Sequence, residues 1–228
     1  MGQVGRGFIG LFICVGLLVS GVTNVVAEGP VHRANGAVGQ SNTLIVLGDS
    51  ISAGYGIPVG SGWVDLLKQR LEKTGIEWKV VNASIAGETT KGALARLPVL
   101  LERHQPKILI IELGGNDGLR GYPLKRIRAN LEKMAQLNQQ TGAKTIFLGM
   151  RLPPNYGGRY ANPFFAQYGE LAEQYNAGLV PFFLDGIATR EGLMQEDGIH
   201  PTAIAQMLLL EHVWKPLEPM LKRLTQQP

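Results

Sequence analysis

Cysteine occurs once in the 228 residues, at position 14, inside an apolar opening segment. If that segment is removed, no thiol remains, which excludes both a disulfide framework and a cysteine nucleophile. Cys14 also lacks the small preceding residue of a lipoprotein signal, so no lipid anchor is expected. Runs of basic residues are missing as well. The densest group, Lys125, Arg126 and Arg128, reads as the exposed face of a helix, and a formal charge of +4 is too scattered to call for nucleic acid. Histidine is scarce: His32, His104 and His212 stand apart, with no partners at metal-ligand spacing, so no metal site is assigned and no cofactor is implied. Internal repeats and low-complexity tracts are absent too.

What is present begins with "MGQVGRGFIGLFICVGLLVSGVTNVVAEG". Arg6, an apolar stretch from Phe8 to about Val19 and the small-residue pattern Val25-Val26-Ala27 predict a secretory signal over residues 1 to 27, cleaved after Ala27. The rival reading is an uncleaved anchor, because tolerating Thr23 and Asn24 stretches the run toward the ~20 residues of a spanning helix. Cleavage would take one arginine and no acid, leaving +3. Residues 28 to 42 are small and polar and predict a flexible leader, and 43 to 228 a single domain long enough to bury its own core. The expected location is therefore periplasmic or secreted.

From Thr43 onward, apolar runs of strand length alternate with amphipathic stretches. The expected strands are Thr43 to Gly48, Trp78 to Ala83, Lys107 to Leu113, Lys144 to Gly149 and Gly178 to Leu184. They are continuous runs, as in strands covered on both faces. The helix-like segments are about Trp63 to Lys73, Lys91 to Arg103, Pro123 to Gln140, Pro163 to Tyr175 and Pro201 to Leu224, with the three prolines suited to first turns. The alternation predicts the α/β class: a three-layer α/β/α sandwich around a five-stranded parallel sheet with right-handed crossovers. Ligands of such sheets bind at the carboxyl ends of the strands.

Those ends carry Gly48-Asp49-Ser50, then Ser84 with Ala86-Gly87-Glu88-Thr89, then Gly114-Gly115-Asn116-Asp117. "EDGIHPT" adds Asp197 and His200 three residues apart before the last helix. Each piece alone reads equally well as a turn or a helix cap. Together they supply what acyl transfer needs. A hydroxyl requires a base, and an imidazole requires an acceptor that fixes its tautomer, which suits Ser50 as nucleophile, His200 as base and Asp197 as orienting acid. The Ser50 and Gly87 N–H groups and the Asn116 amide can converge on an oxyanion, with glycine at 87 permitting close approach. G-x-S-x-G does not occur around Ser50, so the nucleophile elbow of α/β-hydrolases is excluded.

In order and approximate spacing, these four blocks resemble those of the SGNH (GDSL-type) hydrolases, over residues 43 to 215. Through "NASIAGETT", "ELGGNDGLRG" and "RLPPNYGGRY" the chain resembles the secreted bacterial branch of multifunctional acyl-thioesterases, lysophospholipases and arylesterases. One departure is Ile51, where the GDSL pattern has leucine. The resemblance implies a flavodoxin-like sheet, a catalytic triad of Ser50, Asp197 and His200, and an oxyanion hole of Ser50, Gly87 and Asn116. It further implies a mobile loop at residues 118 to 124, where Leu119, Tyr122 and Leu124 could lie along an acyl chain or pack on the core. Arg151 and Arg159 could meet an anionic head group or make surface ion pairs.

The expected activity is ester or thioester hydrolysis through an acyl-enzyme, by a monomer acting on small acyl esters or lysolipids, with transient contact with membrane lipid allowed and nucleic acid excluded. A carbohydrate or cell-wall acetyl esterase keeps the same triad, and a lipid-binding protein without turnover is the alternative from another class.

Overall fold

The computed structural model describes residues 42–226, apart from Ile76. The expected signal and leader lie outside the described residues except for Asn42, which belongs to the first strand.

Five parallel strands form one sheet: β1 (Asn42–Gly48), β2 (Trp78–Asn82), β3 (Ile108–Glu112), β4 (Lys144–Leu148) and β5 (Gly178–Val180). Their order is β2-β1-β3-β4-β5, the flavodoxin-like arrangement, so the strand order reverses between β1 and β3. That reversal positions the site. Connections leave β1 and β3 toward opposite sides and open a crevice between their carboxyl ends, with Gly48 in register with Glu112.

Helices α1 (Ser50–Ala53), α2 (Trp63–Lys73), α3 (Thr90–His104), α4 (Gly115–Leu119), α5 (Leu124–Gln140), α6 (Gly158–Gln174) and α7 (Gln206–Thr225) complete the fold. The α2 helix packs with α7 on one face, and α3, α5 and α6 pack in sequence on the other. Leu44 to Leu47, Ile108 to Ile111 and Ile146 to Leu148 are wholly buried between these layers, which is why those strands are uninterrupted apolar runs.

Several expectations are corrected. The edge strand β2 is only half-buried, because among the described residues no further strand pairs with its outer side. The β5 strand ends at Val180, not Leu184, since Pro181 has no N–H to extend the ladder. The α6 helix begins at Gly158, five residues before Pro163. Gly157, at φ 71°, makes the turn that starts it and leaves Pro163 inside. The last helix begins at Gln206 because Pro201 is drawn into an antiparallel bridge with Met194, and a 3-10 turn over Ala203–Ala205 follows. The two shortest helices, α1 and α4, carry no periodic signal and were not expected at all; both lie directly at the site.

Candidate active site

Ser50 opens α1 immediately after β1. A four-residue helix cannot stabilise itself, and its position is set by Asp49, whose Oδ1 accepts from the Ile51 N–H at 3.1 Å, and by Gly54, which closes it at φ 75°. Beneath it lies Glu112, wholly buried at the end of β3. Its Oε2 accepts from Asp49 N (3.2 Å), Ser52 N (3.3 Å) and Ser52 Oγ (2.7 Å), while Trp63 Nε1 donates to the same Ser52 hydroxyl at 3.2 Å. Glycine at 48 is required by this packing: a Cβ there would stand 2.7 Å from Ser52 Cβ and 2.8 Å from Glu112 Oε2.

His200 and Asp197 come from the other end of the chain, on the loop before α7. Gln195 ties that loop to the segment after α1, donating through Nε2 to the Tyr55 carbonyl at 2.9 Å and to the Pro201 carbonyl at 3.1 Å. The result is a continuous chain of contacts. Ser50 Oγ lies 2.8 Å from His200 Nε2, and His200 Nδ1 lies 2.6 Å from Asp197 Oδ2. Asp197 Oδ1 accepts from the backbone N–H of Ile199 (2.9 Å) and His200 (3.0 Å), and the left-handed Gly198 allows this tight turn. Hydrogen bonding from the His200 ring, then from its backbone, holds the Asp197 carboxyl down at about 2 from its usual 3.8. The Tyr55 ring lies 4.6 Å from the imidazole and tilts across it.

Asn116 sits in the first turn of α4, after β3, and its Nδ2 donates to Asp49 Oδ2 at 3.1 Å. One amide hydrogen is thereby used and the other is left for a ligand. Asp117, beside it, is buried and accepts from Thr90 Oγ1 (2.6 Å) and Thr90 N (2.9 Å). This clamps α4 to the start of α3, directly after the loop that bears Gly87. Asn116 and Asp117 are thus helical, not turn residues. Gly87 itself adopts φ 75°, and a Cβ there would meet nothing within 4 Å. Its requirement for glycine is therefore conformational and not one of space inside the protein. Among the described residues, the N–H groups of Ser50 and Gly87 have no acceptor.

Asp49 and Glu112 form a buried acidic pair that the sequence analysis did not single out as functional. Burial pushes Asp49 up to about 6, and burial together with the Asp49 charge pushes Glu112 well above the ordinary carboxylate range. The donors decide how the proton is shared. Asp49 receives one on each oxygen, which favours its ionised form, whereas all three donors to Glu112 converge on Oε2 and its Oε1 has no partner among the described residues. Burial and the Asp49 charge thus favour the neutral form of Glu112, while the donors on both oxygens of Asp49 favour its ionised form.

The 118 to 124 loop is tied at two points. Tyr156 Oη donates to the Leu119 carbonyl at 2.7 Å, and Tyr160 Oη to the Tyr122 carbonyl at 2.6 Å. Leu119 ends α4, Tyr122 is exposed and Leu124 opens α5. Arg151 makes no ion pair among the described residues; its guanidinium lies 3.9 Å over the Phe165 ring. Arg159 has no counter-ion among the described residues either.

With a hydroxyl, an imidazole and a carboxylate in one line, and free N–H groups at neighbouring strand ends, the arrangement can activate a serine and stabilise an oxyanion. Comparison with known proteins bears on what it acts upon. The model of the GDSL-like Lipase/Acylhydrolase family matches residues 46–207. The chain is 52% identical over 181 residues to Esterase TesA of Pseudomonas aeruginosa, covering 79% of this chain and 90% of that one. It is 41% identical over 180 residues to Thioesterase 1/protease 1/lysophospholipase L1 of Escherichia coli, covering 79% and 85%. The solved structure of a psychrotrophic esterase, EstA from Pseudoalteromonas, superposes with a TM-score of 0.75 at 40% identity, covering 79% of this chain and 99% of that one.

Proposed function

Because the chain belongs to the GDSL-like lipase/acylhydrolase family and is an esterase/thioesterase of the serine hydrolase type, we propose that Ser50 is its nucleophile and that acyl transfer proceeds through an ester on Ser50 Oγ. The observation that carries this is the unbroken line from Ser50 Oγ through His200 to Asp197, at 2.8 and 2.6 Å. As Oγ attacks the acyl carbonyl, its proton passes to His200 Nε2, while Asp197 holds Nδ1–H and steadies the imidazolium. The oxyanion receives the Ser50 N–H, the Gly87 N–H and the free amide hydrogen of Asn116. Collapse expels the alcohol or thiol with the His200 proton, and water delivered by the same imidazole releases the acid.

The substrates of this reading are small acyl esters, with aryl esters, lysophospholipids and acyl thioesters as the classes. Leu119, Tyr122 and Leu124 flank the acyl chain, supported by their place on the loop that leaves the Asn116 helix. Export follows from the layout of residues 1 to 27, with the mature enzyme acting in the periplasm or outside the cell. A binding protein without turnover is set aside, since the relatives named above are enzymes.

The test is hydrolysis of p-nitrophenyl esters of graded chain length by residues 28 to 228, beside a folded Ser50→Ala protein. Activity that vanishes in Ser50→Ala and peaks at medium or long chains supports the reading. A peak at acetate alone transfers it to a glycan acetyl esterase, and equal rates in both proteins overturn Ser50 as nucleophile.

A further inference from the structure

Gly87 offers its proposed oxyanion donor from the tip of an exposed loop. Ile85, Ala86 and Gly87 are all exposed, and a Cβ at Gly87 would meet nothing within 4 Å. The turn bond from Glu88 N to the Ile85 carbonyl, 3.1 Å, fixes the shape of this tip but not its place. Its place depends on the two ends. At the first, Ala83 N and Ile85 N donate to the carbonyls of Val46 (2.8 Å) and Gly48 (3.1 Å), which seats the loop against β1. At the second, Thr89 caps α3 through the Gly92 N–H, and Asp117 holds Thr90.

One side chain joins the two ends. Arg96, in the second turn of α3, donates through Nη2 to the Ala83 carbonyl at 3.0 Å and through Nε to Glu88 Oε2 at 2.9 Å, with Nη2 also 2.8 Å from that oxygen. The Glu88 carboxylate is folded back over the helix. Its Oε1 accepts from Thr89 N at 3.2 Å and fills the space that a Cβ at Gly92 would need. With 11% of the Glu88 side chain and 31% of the Arg96 side chain exposed, parting them leaves a largely desolvated carboxylate without its counter-charge. A planar guanidinium serves a carbonyl and a carboxylate at once, whereas a lysine ammonium is a point charge on a flexible stem.

We propose that Arg96 is a positioning residue for acyl transfer: by gripping Ala83 and Glu88 together it fixes where the Gly87 N–H stands when the oxyanion forms. This rests on the acyl-enzyme reading above. Arg96 acts through the backbone of residues 83 to 88 and not on the substrate. The grip also accounts for glycine at 92 and an acid at 88, neither of which the chemistry itself requires.

The experiment compares wild type, Arg96→Met and Arg96→Lys on one p-nitrophenyl ester and against an alkyl trifluoromethyl ketone. The ketone carbon bonds to Ser50 Oγ, the Ser50 proton passes to His200 and the ketone oxygen becomes an oxyanion, so its Ki reads the oxyanion hole directly. In Arg96→Met, kcat should fall by about 10- to 100-fold, less than the ~10² to 10³ of a donor removed outright, because the N–H is displaced and not lost. KM should stay within about twofold, and the Ki of the ketone should rise by the factor that kcat loses. Arg96→Lys keeps a charge beside Glu88 but not the second donor. It should lose kcat to a similar extent, which decides the matter if Arg96→Met does not fold. Wild-type kcat in Arg96→Lys overturns the grip and leaves charge pairing alone. A loss carried by KM, or a ketone Ki that does not move, overturns a role through the oxyanion hole. Ser50→Ala separates this claim from the one beneath it. Turnover retained in Ser50→Ala overturns the nucleophile, whereas an inactive Ser50→Ala beside unchanged Arg96 variants overturns Arg96 alone.

Discussion

Asn116 Nδ2 donates to Asp49 Oδ2 at 3.1 Å, while the other oxygen of the same carboxylate caps the helix that begins with Ser50. A single buried acid therefore orients the proposed nucleophile and the proposed oxyanion donor, which come from different strands. If aiming the amide is its chief role, Asp49→Ala and Asn116→Ala should each lower kcat by ~10² to 10³, the usual effect of one oxyanion donor. The double variant should be scarcely worse than either single one. Kinetics of the four proteins on one p-nitrophenyl ester decide it, and effects that multiply would separate Asp49 from Asn116.

Asp197 bears on both rate and acid stability. Asp197→Asn should lower kcat by about 10⁴, because the amide stabilises the wrong imidazole tautomer. The folded carboxyl titrates at about 2 against an ordinary 3.8. Its stabilisation is therefore complete above about 4 and is lost as pH falls toward 2. Thermal midpoints at pH 5 and pH 2.5 should show a larger acid loss in wild type than in Asp197→Asn. Equal losses would mean that the His200 contact contributes nothing to stability.

Glu112 predicts the opposite slope. Its carboxyl is raised well above the ordinary 4.5 in the fold, so between those two points unfolding releases a proton and rising pH favours the unfolded chain. Glu112→Gln keeps an oxygen for the three donors and cannot ionise. Urea midpoints from pH 5 to 8 should fall in wild type relative to Glu112→Gln. A difference that does not change with pH would show Glu112 to be charged in the fold.

The fold was legible to the extent that it depended on burial. Strands enclosed by helices on both faces are apolar along most of their length, as Ile108 to Ile111 are in β3, and such runs are visible without knowing their neighbours. Strand ends were less so: β5 stops at Val180 because Pro181 has no N–H to extend the ladder, a limit set by pairing and not by apolar content. Ser50, Asp197, His200 and Asn116 were singled out because acyl transfer demands particular side chains in a particular order, and the fold sets Ser50, His200 and Asp197 in one line. Asp49 and Glu112 escaped because their roles are relations between strands 63 residues apart.

The amino-acid sequence by itself determined the class of fold, the alternation of strand and helix, and which side chains could perform acyl transfer. These depend on local composition and on the chemical capacities of single residues. Only the tertiary structure decided that His200 reaches Ser50 across 150 positions, that one carboxylate serves both Ser50 and Asn116, and that Arg151 rests on Phe165. Those outcomes depend on distance and desolvation, which arise when β1 and β3 are laid side by side and water is excluded from between them.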